Sequence, residues 1–335
     1  MKDPGTTPPI QMSEDGKPLP NSISEVNFYK IGKIDQWAMI RGEDAISNPV
    51  LILLHGGPGF SETNLFRFHN ADLERFFTVV YWDQRGSGKS FDSSIPKSTM
   101  NVNHFISDLD ELIDTVFKRV RPKNRRVILL GHEWGSILGT LYTKRFPHKV
   151  AAYVGCGQMG DWQRSEEGKY KYLRERAEEL QLTATLSELN EMGPPPNTME
   201  TSYRQRHMMS ELEGKQTICA RWDTALMNLF APEGPSLWDF FSPSPDSEFS
   251  LDAMWDEISK IDLAKSVTKL SVPALFFLGR HDHIVPSQVS VDFINQLEAP
   301  SKKIVWFVKS GNSPFVEEAG IFNMSMVKLV RPLGM

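Results

Sequence analysis

The chain has 335 residues, 40% of them hydrophobic and 24% charged, with a net charge of −5 and a pI near 5.9. This is the composition of an ordinary globular chain, and it excludes a general nucleic-acid binder, which would show a basic face. No run reaches the ~18 apolar residues that span a bilayer, and two cysteines, Cys156 and Cys219, without a CxxC pair exclude a disulfide framework or a zinc ribbon.

Residues 1–22 are polar and proline-rich and read as an extended arm with no run of signal-peptide type, so a reduced, cytoplasmic setting is expected. Val26–Lys30 and Trp37–Arg41 have the pattern of strands. Val50–Leu54 is a continuous apolar run closed by a glycine cluster, as expected of a strand buried on both faces. The pattern repeats at Phe77–Trp82, Val127–Leu130 and Val150–Val154. Between them, Phe105, Leu109, Leu112, Ile113 and Val116 recur at helical spacing over 103–120, and a second helix is expected at about 135–146. Strands alternating with helices imply a parallel sheet covered on both sides.

Near residue 158 the texture changes. Residues 159–265 are charged, helical and rich in Met, Trp and Phe, with no parallel-strand run. The strand–helix rhythm returns at Pro273–Leu278, at a helix near 287–297 and at Lys303–Val308. A last helix is expected from Ser313 as N-cap, with Pro314 at its first position and Glu317 and Glu318 in its first turn. The expected organisation is a core in two parts, 1–158 and 266–335, with a helical cap at 159–265.

Five segments at strand ends carry the chemistry. They are His55-Gly-Gly-Pro-Gly59, Asp83–Ser90, Gly131-His-Glu-Trp-Gly135, Gly279-Arg-His-Asp-His283 and Ser310-Gly-Asn-Ser-Pro314. The second contains Gly-Ser-Gly-Lys-Ser, yet Asp83 stands where a phosphate loop needs its first glycine, so it reads as a structural turn held by Asp83 and Arg85. In their order these segments resemble the proline iminopeptidase branch of the α/β-hydrolase superfamily, over about residues 25–158 and 270–330. The resemblance implies the α/β-hydrolase fold: a mostly parallel central sheet flanked by helices, with an inserted helical cap. A small-molecule substrate is expected, with no cofactor, metal, nucleic acid or membrane involved.

The resemblance also implies roles. The glycine loop supplies Gly57 as an oxyanion donor, Trp134 follows the nucleophile position and supplies the second, and His55 joins this substrate-binding set. Asp282 matches the acid of the family's triad. Glu133 stands where the family has its serine, however, and Asn312 where it has its histidine. Ser136 should point away from the cleft, while Ser87 and Ser310 flank it with no evident base. An ordinary serine mechanism is therefore not expected.

A carboxylate can still work there. Glu133 and Asp282 in one cleft should repel and raise the proton affinity of one of them, with Asn312 lying between the two. Glu133 as general acid or base suits a cyclase, isomerase or lyase. The alternatives are a hydrolase that uses Glu133 as nucleophile or water activator, and a non-catalytic receptor or scaffold. The cap, with Met159, Trp162, Trp222, Met254 and Trp255, favours an apolar or aromatic guest. Asp223, beside Trp222, is the candidate counterpart of a family cap acid that holds a substrate amino group. Two histidines, His281 and His283, flank Asp282, but no third ligand for a metal is evident.

Overall fold

Short apolar runs build the sheet. Val50–Leu54 (β3), Thr78–Trp82 (β4), Val127–His132 (β5), Val150–Cys156 (β6) and Ala274–Gly279 (β7) are buried along their whole length. Strands covered on both faces must read this way. The computed structural model describes residues 2–10, 17–196, 198–213 and 245–335. Together with Ile23–Ile31 (β1), Ile34–Gly42 (β2) and Lys302–Phe307 (β8), these strands form one eight-stranded sheet in the order β1-β2-β4-β3-β5-β6-β7-β8. The β1–β2 and β2–β4 pairings are antiparallel and the remainder parallel.

Successive residues of a strand face opposite sides. Val50, Ile52 and Leu54 accordingly join one core layer, with Phe105, Leu109 and Leu112. Leu51 and Leu53 join the other, with Phe66, Phe315 and Phe322. The helix Val102–Val120 (α2) starts where Asn101 accepts the His104 N–H at 3.1 Å, and its 3.6-period stripe is buried.

The helix Thr63–Asn70 (α1) was not anticipated from sequence, because it is short and lacks a side-chain cap at Glu62. The final helix also differs from expectation. Ser313 makes no side-chain cap, and the helix is split into Pro314–Glu317 (α10) and Ala319–Ser325 (α11). The two first-turn acids turn back to the preceding loop instead. Glu318 Oε2 accepts the Lys309 N–H at 2.9 Å and the Ser310 hydroxyl at 2.7 Å, and Glu317 accepts the Gly311 N–H.

Between β6 and β7 the described residues include the helices Trp162–Glu179 (α4), Thr183–Met192 (α5), Met199–Glu213 (α6), Pro245–Ile258 (α7) and Leu263–Ser266 (α8). Entry and exit of this insertion are stitched together, with Trp162 N–H donating to Ile261 O at 3.0 Å and Leu263 N–H to Gly160 O at 2.7 Å. After β7 the chain forms Ser287–Gln296 (α9) and returns to the sheet edge as β8. Among the described residues no helix is long and apolar enough to cross a membrane.

Candidate active site

β5 passes into Trp134–Arg145 (α3) through a single residue, Glu133, at φ 45° and ψ −112°. A left-handed φ at a non-glycine residue costs about 1–3 kcal/mol and persists only where its surroundings force it. Here they do. A Cβ on Gly135 would lie 1.9 Å from Leu54 O, and one on Gly131 would lie 2.3 Å from Gly135 O, so strand and helix meet at glycine contact on both sides of the turn. The Glu133 carbonyl accepts both the N–H (2.9 Å) and the hydroxyl (2.6 Å) of Ser136, which ties that serine into the turn. The Glu133 side chain is thereby projected toward the cap.

A cap residue meets it there. Arg206 on α6 donates from Nη2 to Glu133 Oε2 at 2.6 Å. Burial alone would raise the proton affinity of Glu133. The charges of Arg206 and His132, with Lys169 beyond them, outweigh burial and hold the carboxyl below its ordinary value. Of the two carboxyls, one of which is expected to rise, Glu133 is not the one, because a guanidinium that nothing in the sequence marks stands opposite it. Asp282 is the carboxyl that rises, to about 7, through burial, with the Glu133 charge adding to it.

Asn312 Nδ2 donates to Asp282 Oδ2 at 3.1 Å, while Asp282 Oδ1 accepts the N–H groups of Ile284 (3.0 Å) and Val285 (2.8 Å). The amide therefore serves Asp282. The backbone carbonyl of Asn312 is also used, as the partner of His132 Nε2 at 3.0 Å.

Glu62, which sequence reasoning missed, completes the cluster. It sits at the start of α1, and its Oε1 is 2.6 Å from His132 Nδ1. Burial would lower the proton affinity of His132. The Glu62 carboxylate reverses this and raises it to about 9, so the imidazole is protonated at neutral pH. Glu62 Oε2 also accepts the Gly56 N–H at 3.2 Å. A Cβ placed on Gly56 would lie 3.2 Å from Glu62 Oε1 and 3.3 Å from Glu133 Oε2, so this glycine fills the gap between the two acids.

The glycine loop divides by role. Gly57, at φ 107°, lines the cavity beside Glu133, and so does Trp134. His55 does not. Its Nδ1 donates to Gly56 O at 2.9 Å, and its Nε2 takes the Gln84 N–H at 3.1 Å, with burial keeping the ring neutral. His55 is therefore a scaffold residue of the loop, a correction to its place in the substrate-binding set. It also corrects the reading that no base stands near Ser87, whose Oγ lies 2.9 Å from His55 Nε2. That couple is fully buried, and Ser87 donates to Gln84 O at 2.7 Å, so its hydroxyl is committed to the backbone. The turn at Asp83–Ser90 is held as expected: Asp83 accepts the Lys89 N–H at 2.9 Å, and Arg85 makes a two-pronged pair with Asp108 at 2.8 and 2.9 Å.

Two small cavities open between the sheet and the inserted helices and share Gly57, Trp162 and Arg206. The one at Glu133 also carries Met159, Glu166 and Lys169, and Lys169 Nζ pairs with Glu166 Oε1 at 2.6 Å. The other carries Tyr203, Leu251 and Trp255, and Trp162 and Trp255 meet edge to face at 5.9 Å. Met254 is buried in the core beneath. His283 stacks on Tyr172 of α4 at 3.6 Å. Cys156 is buried, and desolvation pushes its thiol well up, which leaves it unreactive. Trp222, Asp223 and Cys219 lie outside the described residues, and among those described no group of three or more His, Cys, Asp or Glu is placed to hold a metal.

The sequence matches the family model described as alpha/beta hydrolase fold over residues 49–319. A probable aminopeptidase of Bacillus subtilis (strain 168), YbaC, is 31% identical over 316 residues, 94% of this chain and 98% of that protein. A proline iminopeptidase of Saccharolobus solfataricus is 37% identical over 284 residues, 81% of each chain. Among solved structures, a proline iminopeptidase-related protein of Thermus thermophilus superimposes with a TM-score of 0.63 at 18% identity, covering 93% of this chain and 99% of that one.

Proposed function

Because the chain belongs to the α/β-hydrolase-fold family, we propose that it is an enzyme of that fold in which proton transfer by Glu133 takes the place of covalent attack by a serine. The reaction is a cyclisation, isomerisation or elimination on a small, largely apolar or aromatic molecule. One observation carries this reading: the strained tip between β5 and α3 presents a carboxylate to a cavity that Gly57 and Trp134 also line. The correspondence with the family's serine and histidine, now Glu133 and Asn312, belongs to the same proposal.

At neutral pH Glu133 is ionised, so it begins the cycle as a base. It takes a proton from the substrate, and the charge that develops on a substrate oxygen rests against the backbone N–H groups of Gly57 and Trp134. Glu133 then returns the proton to a different atom, and no water is consumed. His132 is unsuited to be the base, being protonated and fixed at both nitrogens. Asn312 moves no proton near neutrality; it positions Asp282.

A second reading has its own support. The relatives named as aminopeptidase and proline iminopeptidase favour a hydrolase, here with Glu133 attacking carbon or activating water. Fluorophosphonate labelling, together with prolyl-naphthylamide and nitrophenyl-ester assays in heavy-oxygen water, separates the two. Proton transfer predicts no labelling and no hydrolysis. Hydrolysis that incorporates heavy oxygen and is lost in Glu133→Gln would establish the second reading, and clean fluorophosphonate labelling would return the chain to ordinary serine chemistry.

A further inference from the structure

The wall shared by core and cap alternates charge: Glu133, Arg206, Glu166 and Lys169 all line one cavity, as two acids and two bases. Within the Glu133–Arg206 pair the partners are unequally placed. The glutamate side chain is 9% exposed and the arginine 28%, and Arg206 lines both cavities while Glu133 lines one. Arg206 is thus the member of the pair that both cavities reach. The guanidinium is a planar fork that takes a carboxylate through two parallel hydrogen bonds. Beside it stands an aromatic corner made by Trp162 and Trp255, suited to an apolar body attached to that carboxylate.

We propose that the substrate is a small organic acid whose carboxylate draws Arg206 off Glu133, with its aromatic or apolar part against Trp162 and Trp255. The inference rests on the proton-transfer reading of this same site for its catalytic meaning. Exchange of partners would do more than anchor the guest. The enclosed Glu133 would lose the largest of the charges that now oppose its desolvation, and its proton affinity would rise. The resting pair thus keeps Glu133 a weak base until an acid of the right shape arrives, and the arriving acid makes it a stronger one.

Calorimetric titration with hydrocinnamate, its neutral amide and phenethylamine tests this. Hydrocinnamate should bind, the amide and the amine should not, and binding near pH 6 should draw up to about one proton per site from the buffer, read from the dependence of the heat on buffer ionisation enthalpy. Arg206→Gln should weaken hydrocinnamate by at least about tenfold, and Arg206→Lys, which keeps the charge without the fork, by a smaller factor. Glu133→Gln removes the internal competitor, so it should bind hydrocinnamate several-fold tighter and abolish proton uptake. Preference for the amine, failure of hydrocinnamate to bind at millimolar concentration, or weaker binding by Glu133→Gln would overturn the proposal. If Glu133→Gln binds the acid more tightly yet keeps full turnover, the proton-transfer reading falls while the arginine anchor stands.

Discussion

Two acid–base pairs meet on either side of Gly56, and they are built differently. Glu62 and His132 both belong to the core, one at the start of α1 and the other at the end of β5. Each is tied again to the backbone, Glu62 to the Gly56 N–H and His132 to the Asn312 carbonyl. Glu133 and Arg206 belong to different layers, the acid on the core turn and the base on a cap helix, and the base is the more open of the two. The same chemistry thus serves two ends. A pair locked into one layer holds shape, whereas a pair that bridges two layers can exchange partners when a guest enters.

The comparison can be broken most severely at Glu62. Glu62→Gln leaves His132 buried without its counter-charge, and breaking such a pair costs about 3–5 kcal/mol. Urea unfolding at pH 7 reads this, and a loss under about 1 kcal/mol would show that the pair does not hold the fold. The same pair has a signature in the unmutated protein. His132 is raised from 6.5 to about 9, so its stabilisation is complete below 6.5 and drains away as pH climbs through 9. That corresponds to about 3 kcal/mol lost on the alkaline side, and Glu62→Gln should flatten the curve in that window.

Arg206→Gln should be milder, about 2 kcal/mol at pH 7, because the arginine is partly open to water. Its more telling effect is on the pH dependence. With Arg206 present the Glu133 carboxyl is depressed, so its contribution is present above the ordinary carboxylate range and is lost as pH falls through the lowered value. Without Arg206 the largest of the charges that depress the carboxyl is gone, so that contribution shrinks. The difference between the two proteins should therefore widen from pH 4 to pH 7 in parallel unfolding curves. The smallest effect is expected at Gly56→Ala. Its methyl would press on both acids at 3.2 and 3.3 Å, at a cost of about 1 kcal/mol. If Glu133 is the adaptable member, the alanine variant should change ligand affinity more than it changes Tm.

Much of the fold was legible because its signals are local. Val50–Leu54 and Val127–Leu130 are runs that only a doubly covered strand tolerates, and the stripe from Phe105 to Val116 fits only a helix. The tip residue was legible for the same reason, since Gly131 and Gly135 bracket it in five consecutive residues. Its charge state was not. Arg206 lies in a polar cap helix whose sequence marks no position above its neighbours, and it reaches Glu133 across 73 residues of chain. Glu62 is a single acid in a serine–threonine context and gains meaning only where α1 meets β5. The role of His55 failed to emerge because the neighbours that tie up its ring, Gln84 and Ser87, come from a different loop.

The glycine contacts around the turn have a wider consequence. Since Gly131 and Gly135 wedge β5 and α3 against Leu54 and leave no room for a Cβ, the backbone at position 133 takes its course from its neighbours and not from the side chain it carries. The protein behaves there like a tool holder with a replaceable bit. Substituting alcohol, thiol, amide or acid at this one codon would test different reactivities in an unchanged mount, and paired with Asn312→His it would ask how few exchanges separate one chemistry from another on a single frame.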